Sequence, residues 1–431
     1  MFENLFFPSA FGIIVGTISG LIPGVGNFAS ILMVMPYLVT LDPIQILSFY
    51  VCLTTISQYI GSVPAIAMGI PGESSSLPAV IESKKLNSSQ DVKKSIIGSA
   101  IGSTFGGVIV LLLSYIFLEK IVWLLNFFNT YVQLFLYCSV LLGTTFLFRA
   151  NKFYINILMI FFGLGLGYIG YNQWLNQEIL TFGNKDLYGG IPLVVVSVVL
   201  FGIPEILKNY NSKLTYKKII SKRKQVFKFN FFDGTLYSAI GFIGGLAPGL
   251  TTTMSSQLAY LVSKIKTKDP VKRIIASETA NNAGAFSQLL PMLMLGIPLL
   301  GSEALILNLL ELKGLMLGFV NFETIFLTTC VVLLLANPIG LLLAWPGASL
   351  IMKILRLDLK ILYAFIIFIL VIACLYTGYT NYQFLYYVWI MLLFMPIGIL
   401  LKKFDTMPLI FAFLIHDRLF DVALRAYSLG I

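Results

Sequence analysis

Gly20-Leu21-Ile22-Pro23-Gly24 and Gly245-Leu246-Ala247-Pro248-Gly249 are near-copies of one another, 225 positions apart in a chain of 431 residues. Working outward, Asp42-Pro43 returns as Asp269-Pro270 and Gly69-Ile70-Pro71 as Gly296-Ile297-Pro298, both at an offset of 227. A weaker pair, Pro192-Leu193 and Pro408-Leu409, keeps the same order at an offset of 216. The chain therefore reads as two repeats, residues 1–207 and 231–431, joined by a linker at 208–230. Each Pro-Gly pair lies in the middle of an apolar segment. Proline removes a backbone hydrogen bond and glycine permits a turn, so each segment either kinks or divides into two half-helices. Unpaired backbone cannot face lipid. Matched interruptions in two halves are the sequence pattern that points to a transporter's substrate site.

The solvent for this chain is lipid. Hydrophobic residues make up 58% of it and charged residues 11%, against roughly 25% charged in a soluble domain. Apolar stretches at 95–117, 322–344, 361–378 and 384–401 match the ~20 residues a helix needs to cross a bilayer core. Runs such as Leu333-Leu334-Leu335 and Leu341-Leu342-Leu343 are apolar all round, without the alternation of a membrane barrel. The fold class is an all-α polytopic membrane protein. The net charge of +10 gathers in short segments between apolar spans, which argues for membrane orientation and against nucleic-acid binding. Cys52, Cys138, Cys330 and Cys374 lie singly in apolar spans, away from the only histidine, His416, so neither a disulfide framework nor a zinc site is expected. The first apolar span follows no basic segment and no small-residue cleavage site, so no removable signal peptide is expected.

Charge also fixes a topology. Between Lys208 and Lys228 lie eight basic residues and no acidic one, which marks a cytoplasmic linker by the positive-inside tendency. Basic loops at 82–94, 149–152, 264–273, 346–360 and 402–405 alternate with nearly neutral ones at 39–43, 118–121, 172–190, 311–321 and 379–383. With the linker, the basic set holds 24 of the 29 lysines and arginines. In repeat coordinates each basic loop corresponds to a neutral one in the other half: 264–273 to 39–43, and 82–94 to 311–321. That pattern predicts two inverted-topology repeats with paired broken or re-entrant helices. Both termini fall outside a bacterial-type cytoplasmic membrane, provided that the first apolar segment of each half, 9–38 and 233–263, enters and leaves on one side.

Polar side chains gather around the interruptions. Gly24, Gly26 and Asn27 lie at the first Pro-Gly pair, and Gly249 with Thr251, Thr252 and Thr253 at the second. Ser57, Gln58 and Ser62 precede the Gly-Ile-Pro sequence of the first half, and Gly72, Glu73, Ser74, Ser75 and Ser76 follow it. Glu278, Asn281, Asn282, Ser287 and Gln288 precede that of the second half. Hydroxyls and amides beside helix N-termini suit a carboxylate, and freed carbonyls suit a small cation such as sodium. Each serine or threonine also has a structural reading, bonding back to its own helix or to a neighbour. Asn281-Asn282 is costly at membrane depth, which favours a functional role. Glu73, Glu278 and Asn281 are the candidates for ion coupling, by Na+ or H+, the glutamates alternatively belonging to water-exposed loops. His416, followed by Asp417 and Arg418, reads as interfacial. Gly98, Gly102, Gly106 and Gly107, three or four residues apart, mark close helix packing.

These residues resemble the large membrane subunit of the tripartite tricarboxylate transporters, the TctA-like family, over nearly the whole chain. The resemblance rests on residues 20–26, Leu41-Asp42-Pro43, Gln58-Tyr59 with Gly61-Ser62, Ile70-Pro71-Gly72, Thr181-Phe182-Gly183 before Gly190-Ile191-Pro192-Leu193, and Glu278 with Ala280-Asn281-Asn282-Ala283. It implies secondary active uptake of tri- or dicarboxylates driven by an ion gradient, with no other cofactor. It also implies two partners, a small membrane subunit and an extracytoplasmic substrate-binding protein. The chain departs from the family pattern at Asn27, at Leu250-Thr251, at Leu299-Leu300-Gly301 and at Glu73, which adds a negative charge beside the first tip.

Two other classes are weighed against transport with binding-protein delivery. A stand-alone organic-anion channel or exporter would need a continuous polar pore, and no ring of like charges or filter-like repeat is present in the sequence. A membrane-embedded enzyme would need paired acids, a nucleophile with its base, or a metal cluster within the spans. One histidine and no paired intramembrane acids argue against it.

Overall fold

The computed structural model describes residues 3–22, 25–69, 74–117, 120, 130–147, 151–172, 177–209, 229–246, 252–317, 322–354 and 359–428. In the first half these form α1 (Glu3–Leu21), α2 (Gly26–Met33), α3 (Met35–Leu38), α4 (Pro43–Met68), a 3-10 turn at Ser74–Ser76, α5 (Leu77–Ser83), α6 (Ser89–Ile116), α7 (Thr130–Leu147) and α8 (Phe153–Gly167). A short antiparallel ribbon follows, Gly170–Asn172 on Gln177–Ile179, which the all-helical reading did not foresee. After it come α9 (Leu193–Ser197), a π-helical turn at Val198–Gly202 and α10 (Ile203–Asn209). The second half contributes α11 (Phe231–Leu246), α12 (Thr252–Lys266), α13 (Pro270–Leu295), α14 (Gly301–Leu312), α15 (Phe322–Ala344), α16 (Ala348–Ile354), α17 (Leu359–Thr380), α18 (Phe384–Leu401) and α19 (Met407–Ser428). The apolar stretches read from sequence become α6, α15, α17 and α18. Among the described residues six helices, these four with α1 and α4, are long and apolar enough to cross a membrane.

The repeat is visible element by element. α4 and α13 are both 26 residues long. Each opens on an aspartate and a proline at its first position, so the missing proline N–H falls where no intrahelical partner exists. The Asp42 N–H donates to Gln45 Oε1 at 3.0 Å, and Asp269 Oδ1 accepts from the Val271 N–H at 2.9 Å. Each ends on a left-handed glycine, Gly69 at φ 71° and Gly296 at φ 65°, and each holds an internal proline, Pro64 or Pro291. Equivalent glycines seat the preceding helix. A Cβ on Gly16 would lie 2.6 Å from the Leu53 carbonyl, and one on Gly241 would lie 2.6 Å from the Ala280 carbonyl. Gly12, Gly16 and Gly20 meet Phe49, Leu53 and Ser57 in that order, so α1 runs parallel to α4.

Two parallel helices joined by a short return need a hairpin between them. Gln45 at the start of α4 donates to the Asn4 carbonyl at the start of α1 at 3.1 Å. In the second half Lys266 at the end of α12 pairs with Asp233 at the start of α11 at 2.7 Å. In each half the chain leaving the first segment thus lies beside the start of that segment.

The halves then exchange partners. α6 of the first half packs on α13 of the second, while α15 of the second packs on α4 of the first. Of the predicted glycine stripe, Gly102 and Gly106 face Thr279 on α13, and Gly107 faces Asn337 on α15. Tyr50, near the start of α4, lies 3.1 Å from Ser302, just past the end of α13. Glu82, past the end of α4, lies 3.4 Å from Arg273, near the start of α13. α4 forms the centre of the molecule, with 94% of its most apolar window buried, against 33% for α17 and 28% for α18. Those two expose large apolar side chains, among them Phe365, Phe368, Leu392 and Leu393.

Candidate functional site

Two short polar clusters, one from each half, converge on the first two turns of α12. From the second half, the Thr252 N–H and hydroxyl both donate to Gln288 Oε1, at 3.0 and 2.7 Å. Gln288 Nε2 in turn donates to Glu303 Oε1 at 2.9 Å. The other carboxylate oxygen accepts from the backbone N–H groups of Leu299 and Leu300, at 2.7 and 3.1 Å. Glu303 sits in the first turn of α14 and closes its N-terminus in the manner of a capping box, its charge favoured there by the helix dipole. It is 1% exposed, so those three donors and Gln288's link to Thr252 replace water around the carboxylate.

From the first half, the Ser75 hydroxyl donates to Gln58 Oε1 at 3.3 Å, and the Ser75 carbonyl accepts from the Ser256 hydroxyl at 2.7 Å. Thr252 and Ser256 are four residues apart on α12, about 6 Å along the helix. The tips of both halves thus meet across one turn of a single helix, lined by hydroxyls, amides and one carboxylate.

Other sequence-selected residues lie near this centre or depart from it. The Asn27 amide oxygen accepts from the Ser19 hydroxyl at 3.0 Å, and open space surrounds the left-handed Gly26 beside it. Ser76 is buried, and Ser74 opens the 3-10 turn ahead of α5. Thr253 lies on α12 next to Thr252. Ser57 and Ser62 direct their hydroxyls to the Thr54 and Tyr59 carbonyls of their own helix, the structural use open to any membrane serine. Gly24, Gly72, Glu73, Gly249 and Thr251, with both Pro-Gly pairs, lie outside the described residues.

Glu278, Asn281 and Asn282 are buried on α13, Asn281 and Asn282 about two turns and Glu278 about three turns from Gln288. Asn281 Nδ2 donates to Glu278 Oε2 at 3.2 Å, and the Asn281 amide oxygen is buried without a hydrogen bond among the described residues. Asn282 turns the other way, donating to Ser103 Oγ at 2.7 Å. Among the described residues no group of three or more His, Cys, Asp or Glu could hold a metal ion.

Three features escaped the sequence reading. Glu303 lay beyond the polar cluster preceding Gly296, although its capping position was available as a signal. Glu82 lay in what read as a basic loop. Its Oε1 accepts from Lys85 at 2.6 Å, Tyr260 at 2.8 Å and Arg273 at 3.4 Å, joining α5 to α12 and α13. The third is a cavity of about 750 Å³ between the ribbon region, α14 and α19, lined in part by Asn308, Glu311, His416 and Arg418. Arg418 pairs there with Glu311 and with the Gly296 carbonyl, which also accepts from the Tyr137 hydroxyl at 3.2 Å.

Residues 6–412 match the model of the family described as Tripartite tricarboxylate transporter TctA family. The chain is 28% identical over 84% of its length to the uncharacterized 52.8 kDa protein in the TAR-I ttuC' 3' region of Agrobacterium vitis, covering 75% of that protein. An uncharacterized protein of Methanocaldococcus jannaschii is 24% identical, over 92% of this chain and 93% of its own. No solved structure matches.

Proposed function

The chain belongs to the Tripartite tricarboxylate transporter TctA family, and from that premise we propose that it is the transport subunit through which small di- or tricarboxylates are imported, driven by the flow of a coupling ion down its gradient. The observation that carries this reading is the convergence of Gln58–Ser75 from one half and Gln288–Glu303 from the other on Thr252 and Ser256. The hydroxyls and amides of that surface are committed here to one another; they are neutral groups that would donate to a carboxylate once the halves part, and they belong to two different halves. Movement of one half against the other would open it first to one face and then to the other, the behaviour expected where interrupted segments of two repeats meet.

The reading includes inverted repeats and an orientation. The contacts Tyr50–Ser302 and Glu82–Arg273 are those expected of α4 and α13 running in opposite directions, and the basic loops set the Glu82–Arg273 end in the cytoplasm. The 750 Å³ cavity at the Glu311–Arg418 end then faces outward, where a substrate-binding protein would deliver its load. A small membrane subunit completes the system, with the lipid-facing flank of α17 and α18 available to it.

Uptake of labelled di- and tricarboxylates into proteoliposomes tests the proposal, with the chain reconstituted alongside its small subunit and binding protein. Gradient-dependent uptake that falls at least about tenfold in Thr252→Val/Ser256→Ala is the expected outcome, equivalent to ~1.4 kcal/mol of lost stabilisation. Flux that ignores both gradient and variant would identify a channel instead.

A further inference from the structure

Equivalent residues of the two halves meet at one small internal cavity. Thr55 and Asn282 are separated by the repeat offset of 227, and each is the thirteenth residue of its 26-residue helix, α4 or α13. Both line a cavity of about 10 Å³, as do Thr54, Gly107 on α6 and Asn337 on α15. That volume admits about one water-sized sphere. The cavity therefore lies where the four central helices, two from each half, come together.

Asn337 is 2% exposed, the one amide in an otherwise apolar stretch of α15. With its Oδ1 3.0 Å from the Tyr59 hydroxyl, its Nδ2 has no hydrogen bond among the described residues. Proton accounting favours the opposite orientation, which leaves no buried amide donor unpaired. A tyrosine hydroxyl carries one proton, and Tyr59 donates it to Thr104 Oγ1 at 2.9 Å. The Thr104 proton is directed to the Ala100 carbonyl at 2.9 Å rather than to Tyr59. Tyr59 can then only accept from Asn337. The two ends of an amide have the same shape and are assigned by their bonding. A half-turn lets Nδ2 donate to Tyr59 and brings Oδ1 into the cavity.

The other polar groups of the lining, set beside Ala285, Phe286, Leu289 and Leu333, also keep acceptor oxygens. Asn282 Nδ2 is committed to Ser103 Oγ, which leaves its amide oxygen for the cavity. The Thr54 hydroxyl proton goes to the Tyr50 carbonyl at 2.9 Å, so its lone pairs remain. Gly107 makes room, since a Cβ there would fall 2.5 Å from the Asn337 amide. Acceptor oxygens now outnumber donors, which disfavours an anion. Among the described residues no carboxylate lines the cavity, which disfavours a divalent ion, whose charge calls for anionic ligands.

We propose that Asn337, Asn282, Thr54 and Thr55 form a seat for one dehydrated monovalent cation of sodium's size, on the pseudo-twofold axis relating the two halves. The seat stands on this geometry alone; its use as the coupling-ion site rests on the transport reading above. A cation held by helices of both halves ties them in one arrangement, and its release frees them to move.

Radiolabelled sodium binding to the full chain in lipid nanodiscs tests the seat without any transport step, with potassium and choline as competitors. Saturable, sodium-selective binding is expected, weakened by about tenfold or more in Asn337→Leu and in the near-isosteric Thr55→Val, and retained in Thr55→Ser. Melting temperatures in choline identify any variant that fails to fold, and Thr55→Val decides if Asn337→Leu does so. Sodium affinity unchanged in folded variants, or no sodium binding at all, overturns the seat and leaves a buried water as the occupant. Either failure leaves the transport reading to be decided by the uptake assay, where a proton gradient can replace sodium.

Discussion

Glu303 carries the most demanding chemistry at the residue scale, because both of its oxygens accept from donors that have no alternative partner in water. In Glu303→Gln one amide N–H₂ must face either Gln288 Nε2 or the Leu299 and Leu300 N–H groups. A buried donor left unsatisfied costs about 1–3 kcal/mol, so uptake rates in proteoliposomes should fall about five- to hundredfold. The double variant Glu303→Gln/Gln288→Glu exchanges donor and acceptor across the same contact and should regain most of that loss. A native rate in the single variant would show that the tip does not need the carboxylate. Asn337 illustrates what sequence reading overlooked at this scale. A lone amide within the leucine-rich run from Val331 to Leu343 is itself a signal of function at membrane depth. Its meaning appears only once Tyr59, 278 residues away in sequence, is in contact with it.

The elements were the most legible part, because length, Asp-Pro starts and Gly ends are local properties. The helices α4 and α13 begin at the two Asp-Pro pairs and end at the two Gly-Ile-Pro sequences. Which helices touch was only half legible. The glycine stripe of α6 announced a close neighbour, but nothing in it named α13 of the other half. Gly106→Ala tests that contact, since its Cβ would meet the Thr279 carbonyl at 2.6 Å and α6 would have to shift. Overpacking of this kind costs about 1–3 kcal/mol and should lower the thermal midpoint of the purified protein. Gly165→Ala on α8 is the counter-case, because nothing lies within 4 Å of its Cβ position. It should leave the midpoint unchanged or raise it slightly, since alanine is the better helix former by up to ~1 kcal/mol.

At the scale of the whole molecule, what decides between alternating access and a static bundle is how the two halves are joined at each end. One joint is Glu82, fully buried, with Arg273, 12% exposed. Removing one partner of a buried pair strands the other, at a cost of about 3–5 kcal/mol, whereas replacing both by apolar side chains is often near neutral. Arg273→Met should therefore lower the thermal midpoint, by less than that full cost implies because Lys85 and Tyr260 still reach Glu82, and Glu82→Met/Arg273→Met should restore most of the loss. Lys85 and Tyr260 also reach Glu82, so recovery in the double variant falls short of complete. If the pair is the cytoplasmic joint of inverted halves, a single cysteine at Lys268 reacts with impermeant maleimide only from the cytoplasmic side. A cysteine at Lys313, in the corresponding turn of the Glu311–Arg418 end, reacts only from outside. Labelling of both from one face would mean that the Glu82 and Glu311 joints share a side of the membrane. Inversion would then fail even though the repeat in sequence stands.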